Sequence, residues 1–63
     1  MTDQMIQDAC NKARIKSVVH NICWLISNGN ELMTVVTYEF LERMKAEGYW
    51  VAAIYEHGYQ VEA

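Results

Sequence analysis

Ile15-Lys16-Ser17-Val18-Val19-His20-Asn21-Ile22-Cys23-Trp24-Leu25-Ile26-Ser27-Asn28-Gly29-Asn30 is the stretch on which the fold turns. Ile15, Val18, Val19, Ile22, Leu25 and Ile26 recur at helical spacing, about 100° per residue, so they form one apolar stripe of a helix. Gly29, between two asparagines, suits a left-handed C-terminal cap. Upstream, Thr2 or Asp3 can cap the start, and Asp3 and Asp8 sit toward the positive end of the helix dipole. The reading is one long helix over residues 1–29.

Its stripe changes face at Arg14-Ile15. Ile6, Ala9, Cys10 and Ala13 share one side, and the stripe from Ile15 to Ile26 lies nearly opposite. Trp24 points away from the second stripe, in line with the first. A straight helix cannot bury both stripes against one surface, and no Gly or Pro supplies a kink. Ile6, Cys10, Ala13 and Trp24 are therefore expected to meet a partner, with the Ile15–Ile26 stripe on the domain's own core.

Residues 30–63 read as β-α-β-hairpin. Glu31–Thr37 is apolar and β-branched, a strand. Tyr38–Glu47 is a short helix capped by Thr37, ended by Gly48, with Phe40, Leu41 and Met44 as its buried stripe and Glu39 and Arg43 spaced for an ion pair. Tyr49–Glu56 is a strand, His57-Gly58 a tight turn, and Tyr59–Glu62 the returning strand. Val51 and Ala53 point one way along the first of these strands, Trp50, Ala52 and Ile54 the other. A strand apolar on both faces wants cover on both. The expected architecture is α+β: a long N-terminal helix, then a three-stranded, mainly antiparallel sheet with the helices on one face. Trp50 and Ile54 then lie on a face the chain does not cover.

Sixty-three residues make one domain at most, which buries roughly 60% of the surface its unfolded form exposes. Yet 52% of the residues are hydrophobic, among them two Trp, four Tyr, one Phe and four Met. Scattered singly at the surface they need no partner; gathered in a patch they mark an interaction site. The net charge of -3, with five Lys and Arg in all, argues against nucleic acid, whose binding draws on phosphate neutralisation. No run of about 18 apolar residues crosses a membrane. The polar, acidic start is unlike a signal peptide, so a cytosol is the expected setting.

No motif carries catalytic chemistry. His20 and Cys23 form an i,i+3 pair, but two ligands do not close a metal site, and His57 belongs to its turn. Ser17 and Ser27 lack the strand-turn-helix elbow of a hydrolase nucleophile. Gly29, Gly48 and Gly58 punctuate elements and form no phosphate loop. Lys12, Arg14 and Lys16 scatter around the helix. The aromatic group Tyr49, Trp50, Tyr55 and Tyr59 can stack bases in principle, but in acidic surroundings. Cys10 and Cys23, thirteen residues apart on one helix, would be roughly 20 Å apart, beyond disulfide reach. The expectation is a non-enzyme with no catalytic residue, cofactor or metal.

From Ile15 onward the chain resembles small tailed-bacteriophage accessory and structural proteins with a helix-strand-helix-hairpin module. The matching stretches are Ile22-Cys23-Trp24-Leu25-Ile26-Ser27-Asn28-Gly29, Phe40-Leu41-Glu42-Arg43-Met44, Gly48-Tyr49-Trp50-Val51 and Gly58-Tyr59-Gln60-Val61. The resemblance implies a phage origin and a structural or accessory role in symmetric assemblies, in a virion or in the host cytoplasm. The expected function is a non-enzymatic, self-associating phage protein. Its partners would be further copies, other virion proteins or a host protein, and its interface Ile6, Cys10, Ala13, Trp24, Trp50 and Ile54. The alternative is a small phage inhibitor that binds a host protein or sequesters a small ligand.

Overall fold

The first helix stops early, at His20. In the computed structural model, which describes residues 2–62, α1 spans Asp3–His20 and Asn21 follows at φ 75°, a left-handed conformation that asparagine tolerates. The chain then reverses into strand β1, Ile22–Ser27. The run Ile22-Cys23-Trp24-Leu25-Ile26 is apolar at every position. A helix with one buried side leaves part of such a run in water, whereas a central strand covered on both faces buries all of it. The long helix over 1–29 is thus corrected to a helix and a strand. Thr2 caps α1, its Oγ1 accepting from Met5 N–H at 3.2 Å.

Asn28-Gly29-Asn30 is consequently a hairpin turn and not a helix stop. Asn28 Oδ1 accepts from the backbone N–H of Asn30 and Glu31, and Gly29 takes φ 94°. The chain returns as β2, Leu32–Val35, and α2 follows over Tyr38–Ala46. Thr37 caps α2 by accepting from Phe40 N–H at 3.3 Å. Only Leu41 of α2 is buried; Phe40, expected in the buried stripe, is exposed with the Arg43 guanidinium 6.0 Å from its ring centroid. The ion pair on α2 is Glu42–Lys45, at 3.4 Å. Strands β3, Trp50–Glu56, and β4, Tyr59–Glu62, complete the chain.

The fold is α+β, as expected from the sequence, but the sheet has four strands, all antiparallel, in the order β2-β1-β3-β4. It separates two apolar clusters. On one side Cys23, Leu25, Ala53 and Tyr55 pack with Ala13, Ala9 and Cys10 of α1. On the other, Ile26, Val35, Trp24, Met33 and Val51 gather around Leu41 and Met44 of α2. The helices therefore cover opposite faces, not one. A second helix on the far side is what the two-faced apolar character of β1 and β3 requires.

A register shift in the β1–β3 pairing decides where the β3 side chains go. Leu25 pairs with Ala53 but Ile26 with Val51, so Ala52 is bulged out of the ladder. Val51 and Ile54 then share the α2 face, opposite Ile26 and Trp24, while Ala53 shares the α1 face with Tyr55. Trp50, paired with Ser27, alternates away from Val51 and lies across the β1–β2 turn, its ring edge 3.5 Å from where a Gly29 side chain would begin. Trp50 and Ile54 do not occupy one face, because strict alternation fails at a bulge.

One polar contact fastens α1 to the far end of the sheet. Ser17 is fully buried; its Oγ donates to the Arg14 carbonyl at 2.7 Å and accepts from the Gly58 N–H at 2.8 Å, 41 residues away. Gly58, at φ 88°, lets the β3–β4 turn approach so closely that a Cβ there would sit 3.0 Å from Val18 Cγ2. Ser17→Ala leaves the Gly58 N–H without its partner. The expected loss is about 1–2 kcal/mol, read as a fall in Tm of about 4–8 °C per kcal/mol in a chain of this size. An unchanged Tm would mean that water replaces the hydroxyl fully.

Candidate functional site

Placing α1 through its small side chains has a consequence for the surface. Ala9, Cys10, Ala13 and Ser17 face the sheet, where small residues allow close approach. The bulky apolar residues of the same helix face solvent: Ile15, Val18 and Val19 are 64%, 63% and 70% exposed. At i, i+3 and i+4 they share one side and form an apolar ridge along the C-terminal half of α1. On α1 the face expected to meet a partner is the core face except at Ile6, and Ile15, Val18 and Val19 of the stripe expected in the core are exposed; Leu25 and Ile26 of that stripe are buried, but in β1.

The predicted interface residues separate accordingly. Ala13 is fully buried in the chain's own core and Cys10 half-buried beside it. Ile6 is exposed near the start of α1, and Trp50 is 53% exposed beyond the edge of the α1 cluster. Trp24 and Ile54, by contrast, come together. With Tyr38, Leu41 and Val51 they line a groove of about 260 Å³ on the α2 side of the sheet, with Lys45 and Glu62 at its rim. Trp24 and Tyr38 make a tilted aromatic pair with centroids 6.4 Å apart. The groove exists because α2, nine residues long, reaches over the β2 side and leaves the β3–β4 side of that face open.

Strand β4 is the second unpartnered surface. All four of its residues are exposed, including Tyr59 and Val61, and one of its edges has no neighbour in the sheet. A third feature is a groove of about 480 Å³ between α1 and β2, lined by Met5, Ala9, Lys12, Lys16, Leu32 and Met33 with Asp8 and Glu31. Lys16 Nζ donates to Thr34 Oγ1 across it at 2.8 Å. Near its rim Tyr49 Oη donates to a Glu31 carboxylate oxygen, and this hydrogen bond raises the Tyr49 phenol above its ordinary value.

Two further shifted groups, Cys23 and Tyr55, belong to the core. Burial pushes the Cys23 thiol up, partly opposed by a hydrogen bond with the Val35 backbone. Burial also raises the Tyr55 phenol, whose Oη donates to Gln60 Oε1 at 3.4 Å while Arg14 lies 5.5 Å from the ring centroid. Both cysteines are free, but they are not held roughly 20 Å apart as one continuous helix implied. The reversal at Asn21 brings both to the same core cluster. His57 lies in the β3–β4 turn at φ 51° and His20 ends α1. Among the described residues no three of His, Cys, Asp and Glu are grouped to hold a metal ion, and no helix is long and apolar enough to cross a membrane.

Sequence reasoning missed Ile15, Val18 and Val19 as surface residues. The available signal was Ala9, Ala13 and Ser17 at i, i+4 and i+8, a small-residue face suited to close packing. The geometry thus offers an apolar ridge, an apolar groove on the opposite side and an open strand edge. No family model, curated protein or solved structure matches the chain.

Proposed function

We propose that the protein is a non-enzymatic, self-associating component, a phage-encoded structural or accessory protein that works in a virion or in the host cytoplasm. The observation that carries this reading is the exposure of bulky apolar side chains in places the chain's own core does not need. Ile15, Val18, Val19, Tyr38, Tyr59 and Val61 are all more than half exposed, on a chain whose described buried polar side-chain atoms are all hydrogen-bonded. Apolar surface of this kind supports association. The phage assignment rests on the sequence resemblance.

Light scattering at micromolar concentration is expected to give at least twice the 7.3 kDa chain mass. A mass of one chain would sink the proposal. The runner-up, a small phage inhibitor that holds a host protein or a small ligand, draws on the α1–β2 groove. Its volume of about 480 Å³ falls in the range of small-molecule sites, roughly 300–1,000 Å³. That reading expects a single-chain mass together with a host protein or small molecule that co-purifies.

A further inference from the structure

We propose that the groove between α1 and β2 receives an extended peptide segment of another protein, which adds a strand to the free edge of β2. Such docking is separate from self-association, because it uses neither the α1 ridge nor β4. β2 ends the sheet order β2-β1-β3-β4, so its outer edge has no strand beside it. An edge strand presents a row of unpaired N–H and C=O groups. Among the described residues, no backbone bond from a turn or loop reaches Leu32–Val35.

The groove follows that edge. Glu31, Leu32, Met33 and Thr34 all line it, four successive residues whose side chains alternate between the two faces. Leu32 packs with the α1-side cluster and Met33 with the α2-side cluster. A cavity that touches both sets lies along the backbone, not on one face. The opposite wall is α1, with Met5, Asp8, Ala9, Lys12 and Lys16. These form one helical stripe about 16 Å long at 1.5 Å per residue, the span of about five extended residues. The other edge of the sheet is a poorer template. In the β3–β4 pairing Tyr55 faces Gln60 but Ile54 faces Glu62, so Val61 is bulged out, and bulges blunt an edge. The β1–β2 ladder runs from Trp24–Val35 to Ser27–Leu32 without a shift.

Charges on the groove wall select the segment. α1 turns back into β1 at Asn21 and β1 turns back into β2, so α1 and β2 run the same way. Lys16 Nζ donates to Thr34 Oγ1 at 2.8 Å, which aligns the two elements. Lys12 and Lys16 lie toward the end where β2 finishes, Asp8 and Glu31 toward the end where it begins. The one ion pair among the described residues is Glu42–Lys45, so none of these four charges is paired across the groove. Lys16 keeps two N–H donors beyond the one given to Thr34, and Asp8 and Glu31 each accept an internal hydrogen bond through a single carboxylate oxygen. Antiparallel pairing, the more stable kind, puts the amino end of the segment beside the lysines. The fitting segment has an acidic residue at its amino end, a basic residue at its carboxyl end and β-branched residues between, whose apolar atoms rest on Met5, Ala9, Leu32 and Met33.

Two capped pentapeptides test this by titration calorimetry. One carries glutamate first, lysine last and valine, threonine, valine between; the other exchanges the charged ends. The first is expected to bind one per chain and at least about tenfold more tightly than the second, in which like charges meet. N-methylation at one alternate set of its amides, the set facing β2, should abolish binding, while methylation at the other set should leave it. Lys12→Glu combined with Lys16→Glu, both at exposed positions, should lose the first peptide by a similar factor, and a peptide with lysine at both ends should restore binding. Circular dichroism checks that this variant keeps its fold. Equal affinity for the two charge orders, indifference to N-methylation at both sets, or a charge-reversed chain that still prefers the first peptide would each overturn strand addition at β2. So would the absence of saturable peptide binding by about 1 mM, including the case in which only a small molecule occupies the groove.

Discussion

Tyr55→Ala should unfold the chain, or leave it so marginal that its thermal transition falls below the working range. Tyr55 is 1% exposed and heads the fully buried side chains by volume. Its ring lies between β1 and α1 with Cys23, Leu25, Ala13 and Ala53, where no larger neighbour can collapse into the space. Truncating a buried aromatic removes about 3–5 kcal/mol. At roughly 0.05–0.15 kcal/mol per residue, a chain of this length has about 3–9 kcal/mol, so the loss takes from about a third of it to all of it. Tyr55→Phe keeps the ring and gives up the hydroxyl's polar contacts, the 3.4 Å bond to Gln60 among them, so its expected effect is about 1 kcal/mol. The pair of variants also has a pH signature. Burial raises the Tyr55 phenol above its unfolded value near 10. The folded state therefore holds the proton more tightly, and the associated stability is complete below that value and lost as pH rises through the folded one. Wild type should lose stability more steeply than Tyr55→Phe in denaturant melts above pH 10. Equal slopes, or a Tyr55→Ala variant that melts like wild type, would remove Tyr55 from the centre of the core.

Most of the element types and several boundaries are legible in the residues, and the errors have a common origin. Thr37 caps α2, Gly48 at φ 100° follows its end, and His57-Gly58 makes the β3–β4 turn. Each is local chemistry, so each can be read locally. The apolar run at Ile22–Ile26 fits two periods at once. As a helix it continues the Ile15–Val19 stripe without interruption; as a strand it needs covers on both faces, which only the tertiary fold supplies. Read as a helix, the run puts the wrong side of α1 in the core and leaves the sheet one strand short. It also puts both helices on one face. Asn21 carries the break, but an asparagine alone is a weaker stop than the Asn28-Gly29-Asn30 sequence that follows. The bulge at Ala52 is illegible for a different reason, because small residues on either side fit both registers. Stripe and alternation point to Trp24 and Ile54 through a pattern the fold does not keep, yet the two meet across paired positions of β1 and β3 and line the groove.

Leu41→Ala tests how far the groove depends on a single anchor. Isolated helices shorter than about 12–15 residues are marginal in water, and α2 has nine. Its cap at Thr37 helps the first turn, and the bonds from the backbone N–H groups of Glu47, Gly48 and Tyr49 to the Met44 and Lys45 carbonyls close the last. What holds it to the sheet is Leu41, 2% exposed between Ile26 and Val35, with Met44 half-buried behind it. Leu41→Ala should lower stability by about 2–5 kcal/mol. The loss should also be uneven. The α1 side of the sheet keeps its own cluster, so the amides of α2 should lose exchange protection well before those of β1 and β3. Tyr38, one of the exposed apolar residues to which association is attributed, sits on α2, so a loosened α2 should also weaken association at concentrations where the sheet is still folded. Hydrogen exchange on Leu41→Ala, with the oligomer mass measured in the same buffer, reads both effects. Uniform loss of protection across α2 and the sheet would mean that the helix folds as one unit with the strands. Wild-type mass with an unprotected α2 would mean that the contact between copies lies elsewhere, and the open edge of β4 would be the next surface to vary.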